Sequence, residues 1–227
     1  MTDMQKVFKN QQWVALALIV LGGGTSLWVS QNRGLFTGNL WNISALVWFW
    51  IALAIPVVHQ LYVWWVWRFE LYYYSFSKRL GWQKAFKIYK TGFSILFGGR
   101  LVTIILLALA TQKILTLFPL VSYALVAGIS PLAAYLFYSV HRYFSMDRAY
   151  GIDHFDRDYS EPFEKKGIFR FTSNGMYVIG MMVLYLPGLL LFSMPALVVA
   201  LFNHLYIWVH YYATERPDMN HIYGDAP

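Results

Sequence analysis

The sequence contains no cysteine, and only 13% of its residues are charged, against the roughly 25% of a soluble domain. The first absence excludes disulfides, thiolate metal sites and a cysteine nucleophile. The second excludes an ordinary soluble fold, because 227 residues that are 58% hydrophobic and 19% aromatic carry too little polar surface to enclose one core. Acid is scarcer still, with 11 Asp and Glu against 18 Lys and Arg, a formal charge of +7. The basic residues stand between apolar runs and not along one soluble face, so they are read as orienting the chain in a bilayer; no nucleic-acid partner is expected. There is no linker, internal repeat or low-complexity segment.

What is present is a series of apolar runs, which predicts an all-α fold: one polytopic transmembrane helical bundle over residues 1–227 with about six spans. Residues 1–140 form a four-span N-terminal part, and 141–227 hold a loop, a tight helical hairpin and a polar C-terminal segment. The expected spans are Trp13 to Val29, Trp41 to Trp67, Leu101 to Pro119, Leu120 to Val140, Met176 to Phe192 and Pro195 to Tyr212. The first follows Lys6 and Lys9 but has no small-residue cleavage site, so it is expected to be retained. Arg68 to Lys90, basic and aromatic, fits an interfacial helix against anionic headgroups. Arg100 and Lys113 are expected to snorkel outward from the third span. His59 and Gln60 form a polar spot inside the second, either a functional site or a histidine bonded to a neighbouring helix. The positive-inside rule then places both termini in the cytoplasm, in an inner membrane.

Six of the eleven acidic residues fall between His141 and Ser173. Asp153, His154, Asp156 and Asp158 lack a recognised ligand spacing, so a hydrated acidic turn paired with Lys165 and Lys166 is expected, and no metal. His204, Tyr211 and Glu215 form a helical stripe suited to interhelical hydrogen bonds.

Two polar stretches flank the almost charge-free hairpin Val178 to Val209. In the first, Arg170 offers a planar fork for a carboxylate or phosphate, and Asn174 and Gly175 would begin a helix whose free N–H groups favour an anion. In the second, Glu215, Arg216, Pro217 and Asp218 are expected to end the last span abruptly. A tight hairpin returns both stretches to one membrane face, where an acidic side chain can accept from ribose hydroxyls and an arginine can hold a carboxylate. S-adenosylmethionine carries both features, and a nicotinamide dinucleotide offers ribose and anionic groups as well.

Asn174-Gly175-Met176-Tyr177, with Glu215-Arg216-Pro217 followed by Ile222-Tyr223, resembles the intramembrane methyltransferases that include phosphatidylethanolamine N-methyltransferase and isoprenylcysteine carboxyl methyltransferase. The resemblance covers residues 141 to 224. Gly175 stands where that family has proline, Arg216 where the phospholipid enzymes have a second glutamate, Gly180 falls one place late, and their upstream Gly-x-Gly is missing. The resemblance implies S-adenosylmethionine held by Arg170, Asn174, Gly175, Tyr177, Glu215 and Arg216. It also implies methyl transfer to a lipid-embedded or isoprenoid-like acceptor. His210 or His141 would take a proton from an amine acceptor. Two other readings stay open: an NADPH-dependent reductase of the related sterol and steroid group, with Lys165, Lys166 and Arg170 on a 2′-phosphate, and a non-catalytic membrane scaffold. Neither the acceptor nor the oligomeric state follows from the sequence.

Overall fold

The structure, a computed structural model, describes residues 2–115, 118–161 and 164–224. Helices α1 (Asp3–Val7) and α2 (Gln11–Gln31) lead into a small hairpin of β1 (Asn39–Leu40) and β2 (Ile43–Ser44). Then come α3 (Ala45–Tyr73), α4 (Ser77–Leu80), α5 (Trp82–Ala110), α6 (Pro119–Ser139) and α7 (Met146–Ala149). The C-terminal part holds α8 (Gly175–Val178), α9 (Leu186–Leu190), α10 (Met194–His210) and α11 (Arg216–Tyr223). Among the described residues, five helices are long and apolar enough to cross a membrane: Asp3–Gln31, Ala45–Tyr73, Trp82–Ala110, Pro119–Phe144 and Met194–Tyr223. A shorter apolar stretch, Gly175–Leu190, makes up the descending arm of the hairpin. The all-helical bundle expected from the apolar runs is therefore what the chain forms.

Several limits differ from expectation, each for a local reason. The second span starts at Ala45 because Trp41 and Asn42 take positive φ to turn β1 into β2, and Ser44 then caps the Val47 N–H. It runs on past Trp67 to Tyr73, because Arg68 and Glu70 find partners inside the protein. The basic stretch 68–90 is accordingly not one interfacial helix. It is the end of α3, a reversal at Tyr74, and the first turns of α5, along which Lys84 and Lys87 are exposed. The third span is shifted to Trp82–Ala110; of its expected end, residues 116 and 117 lie outside the described residues.

Arg100 does not snorkel. It is 2% exposed, because Phe93, Phe97, Arg100 and Ile104 share the α5 stripe that faces the bundle. Lys113 is exposed as expected.

The main core joins α3, α5 and α10 through Phe49, Ala52, Ile104, Leu107, Ala196, Val199 and Ala200, all fully buried. Ala52, Ala196 and Ala200 let the helices approach closely at these places. The two hairpin arms are joined by Leu191, Phe192 and Ser193, a tight turn as expected. The Ser193 hydroxyl caps the Ala196 N–H and lies 2.6 Å from the Thr111 hydroxyl. The hairpin tip is thereby fixed to the end of α5, and the open end of the hairpin is carried to the other end of the bundle.

Candidate functional site

At that other end α10 does not stop at Glu215. It widens into a π turn, Tyr211–Glu215, and continues as α11 to Tyr223. The cause is Pro217, which has no N–H to offer the carbonyl four residues back and which fits the first turn of a new helix. The Arg216 N–H instead reaches back five residues to the Tyr211 carbonyl. The Ala213 carbonyl, left without that donor, accepts from Arg68 Nη2 at 3.1 Å, and the Thr214 carbonyl accepts from the same nitrogen at 3.4 Å. A buried guanidinium thus replaces the donor that proline removes.

The π turn aims the half-buried Glu215 across the hairpin, where its carboxylate accepts a hydrogen bond from the Tyr177 hydroxyl. The Tyr177 ring is held by Trp208 and Tyr211 at centroid distances of 5.8 and 5.4 Å. The two polar stretches, 38 residues apart, therefore meet through Tyr177 and Glu215. Asn174 and Gly175 begin α8 one turn earlier. Gly175 is buried, with space for a Cβ at 3.4 Å from Leu136 and Thr172, so no backbone strain demands glycine there.

The other expected site residues are more dispersed. Ile168 donates its N–H to Ser139 Oγ at 3.1 Å, and Ile168 and Phe169 are buried against α6, so Arg170 points outward and is exposed. Among the described residues it forms no ion pair with Glu215. Arg216 is exposed, its guanidinium 5.9 Å from the Tyr212 ring, and it lines an open groove with Lys9, Pro217, Asn220 and His221. His210 is buried and borders a narrow cleft with Gln60, Trp64, Tyr206 and Thr214. His141 is exposed on the wide turn Val140–Phe144, with no hydrogen bond, ion pair or ring contact to His210 among the described residues. His204 bonds the Tyr185 hydroxyl at 3.4 Å, the interhelical role expected for it.

Sequence reasoning missed the groups that brace this end. Asp218, fully buried, lies 2.6 Å from Arg68 Nε and 3.5 Å from His154 Nε2. Asp153 sits 3.6 Å from the other side of His154 and accepts from the Tyr223 hydroxyl at 3.0 Å. Arg68 Nη1 also donates to the Lys6 carbonyl at 2.6 Å. The expected hydrated turn is thus overturned at Asp153 and His154, which are 4% and 0% exposed. Gly151, at φ +78°, lets the backbone approach the Trp67 ring, on which His154 stacks at 4.1 Å.

Burial opposes protonation of His154, but the Asp153 and Asp218 carboxylates overcome it and raise its pKa to about 9. Burial likewise works against an ionised Asp153, yet the His154 and Tyr223 hydrogen bonds hold its pKa below the usual value. Among the described residues no three His, Asp or Glu side chains converge as a metal site, and a guanidinium is the cation beside Asp218. The signal available in the sequence was the Asp153-His154 pair inside an aromatic stretch, a poor composition for a solvated turn.

Glu215 is partly exposed and has one protein donor, so its carboxylate retains acceptor capacity of the kind a ribose hydroxyl would use. Helices of this length and apolarity define an integral membrane protein with a polar site at one end of its C-terminal hairpin. A family model described as phospholipid methyltransferase matches residues 120–226, and the match supports the intramembrane methyltransferase family for this part of the chain. No curated protein and no solved structure matches the chain.

Proposed function

We propose that the protein is a methyltransferase that uses S-adenosylmethionine on a lipid-embedded or amphipathic acceptor. The observation that carries the reading is the hydrogen bond from Tyr177 to Glu215, which joins the hairpin-opening motif to the acidic motif inside the family-matched segment. Bound S-adenosylmethionine supplies an electrophilic methyl group for in-line displacement by the acceptor. Glu215 would accept from the ribose hydroxyls while Tyr177 fixes its rotamer. Asn174 and Gly175 present the start of α8 to the same end of the bundle, and Arg170 and Arg216 supply exposed positive charge for an anionic group. Protein side chains contribute mainly position and exclusion of water, because the displacement itself needs little acid-base help. Where the acceptor is a protonated amine, His210 is better placed than His141 to take its proton, since it borders a cleft inside the bundle.

Isothermal titration of the purified protein tests this reading. S-adenosylhomocysteine is expected to bind in the micromolar range and NADPH not at all; binding of NADPH alone would replace methyl transfer with a reductase, and binding of neither would leave a scaffold.

A further inference from the structure

A second polar cluster lies deep in the bundle, built mainly outside the family-matched segment. Helices α3, α5 and α10 pack on one another, and each turns polar side chains inward at mid-length: His59 and Gln60, Arg100, and Asn203 and Tyr206. None is more than 4% exposed. Helical period explains the gathering: Phe93, Phe97 and Arg100 share one stripe of α5, and Val199, Asn203, Tyr206 and His210 one stripe of α10. The His59 ring stands edge-on to Phe93 at 4.4 Å and to Phe97 at 6.2 Å, which sets it beside the stripe that bears Arg100.

The unmet hydrogen-bonding capacity here is mostly donor capacity, and the charge is positive. Arg100 Nε and Nη2, both His59 ring nitrogens, the Tyr206 hydroxyl and Asn203 Oδ1 have no partner within the protein. Asn203 Nδ2 is taken by the Val199 carbonyl at 2.9 Å. Glu70 is the one acidic residue on these three helices; it lies about three turns beyond His59 near the end of α3, where its Oε2 accepts from the Phe76 and Ser77 N–H groups. A buried guanidinium without a counter-charge costs several kcal/mol, and water can meet its hydrogen bonds without neutralising it. An oxyanion does both. Gln60 and Tyr206 border a narrow cleft with His210 and Thr214. Arg100 lies within the apolar span Trp82–Ala110, so an anion that pairs with it arrives on a group soluble in lipid.

We propose that Arg100, with His59 and Tyr206, binds the acidic group, carboxylate or phosphate, of a membrane-soluble amphiphile. Tyr206 precedes Glu215 by nine residues, about 14 Å along a helix. An amphiphile seated there extends beside the Tyr177–Glu215 pair, and its role as methyl acceptor rests on the reading above; the binding site itself does not.

The test uses the full protein in phosphatidylcholine nanodiscs, titrated with oleate, dodecyl phosphate, methyl oleate and inorganic phosphate and followed by thermal unfolding. At least one of the two acidic amphiphiles should raise the unfolding temperature at roughly tenfold lower concentration than methyl oleate; which one does so names the group. Inorganic phosphate should do nothing. Arg100→Met, which removes a buried charge without opening a cavity, should abolish the preference for acid over ester while S-adenosylhomocysteine binding is unchanged. Equal responses to acid and ester, a response to inorganic phosphate alone, or a preference that survives Arg100→Met would overturn the site. Should the variant fail to fold, the acid-against-ester comparison on the unaltered protein decides alone. Failure of S-adenosylhomocysteine to bind would remove methyl transfer and leave the acid-against-ester result standing.

Discussion

Asp218 ties together three separate stretches of sequence, because Arg68 at the end of α3 and His154 in the long loop both face its carboxylate. Removing one partner of such a pair strands the other, so Arg68→Ala or Asp218→Ala should each cost about 3–5 kcal/mol. The arginine variant also leaves the Ala213 and Thr214 carbonyls without their donor. The apolar double variant Arg68→Met, Asp218→Leu should lose less than the sum of the two, as read from unfolding midpoints in detergent. His154 adds a pH dependence whose sign follows from its raised pKa. Its contribution is fully present below the unfolded value near 6.5 and is lost as pH rises through about 9, on the order of 3 kcal/mol in all. Unfolding temperature should therefore fall between pH 6.5 and 9.5, and His154→Gln should flatten that slope. A slope unchanged in the variant would place the titrating group elsewhere.

At the scale of elements, the site depends on one irregular turn. Pro217→Ala restores the missing N–H, so the helix can run through 211–215 as ordinary α-helix and rotate Glu215 away from Tyr177. Affinity for S-adenosylhomocysteine should fall by roughly tenfold or more, with thermal stability kept; unaltered affinity would show that the π turn does not aim Glu215. Proline in the sequence was legible as a helix breaker, and that reading placed the end of the span too early, because the replacement donor for its carbonyls comes from Arg68, about 145 residues away. The spans themselves were legible, since an apolar run needs no partner to be recognised. The side on which Arg100 lies was not: an arginine near a span end can snorkel or face inward, and only packing against α3 and α10 decides it. The same holds for Asp153 and His154, whose burial is set by Trp67 and α11. Tyr177 and Glu215 were legible because their spacing from a tight hairpin fixed them to one end whatever the rest of the chain did.

For the whole molecule, the contacts at the two ends of the bundle set a topology that can be read out directly. At one end, the Lys6 carbonyl, Arg68, His154 and Asp218 converge, so the N-terminus, the end of α3, the acidic loop and α11 share one face. At the other, Lys113 N–H bonds the Leu191 carbonyl at 2.9 Å, and Gly38 beside β1 lies against the Ala110 carbonyl at the end of α5, so both connections lie with the hairpin tip. Clustered Lys and Arg belong to the first end, which the positive-inside rule predicts to face the cytoplasm. The lack of cysteine makes the assignment testable, because any single introduced thiol is the only one to react. Arg33→Cys and Gln112→Cys should be labelled on intact cells by a membrane-impermeant maleimide, and Lys165→Cys and Asn220→Cys only after permeabilisation. The inverse pattern would reverse the orientation while keeping the fold. Labelling that separates Arg33 from Gln112, or Lys165 from Asn220, would break the pairing of loops on which the site at Tyr177 and Glu215 depends.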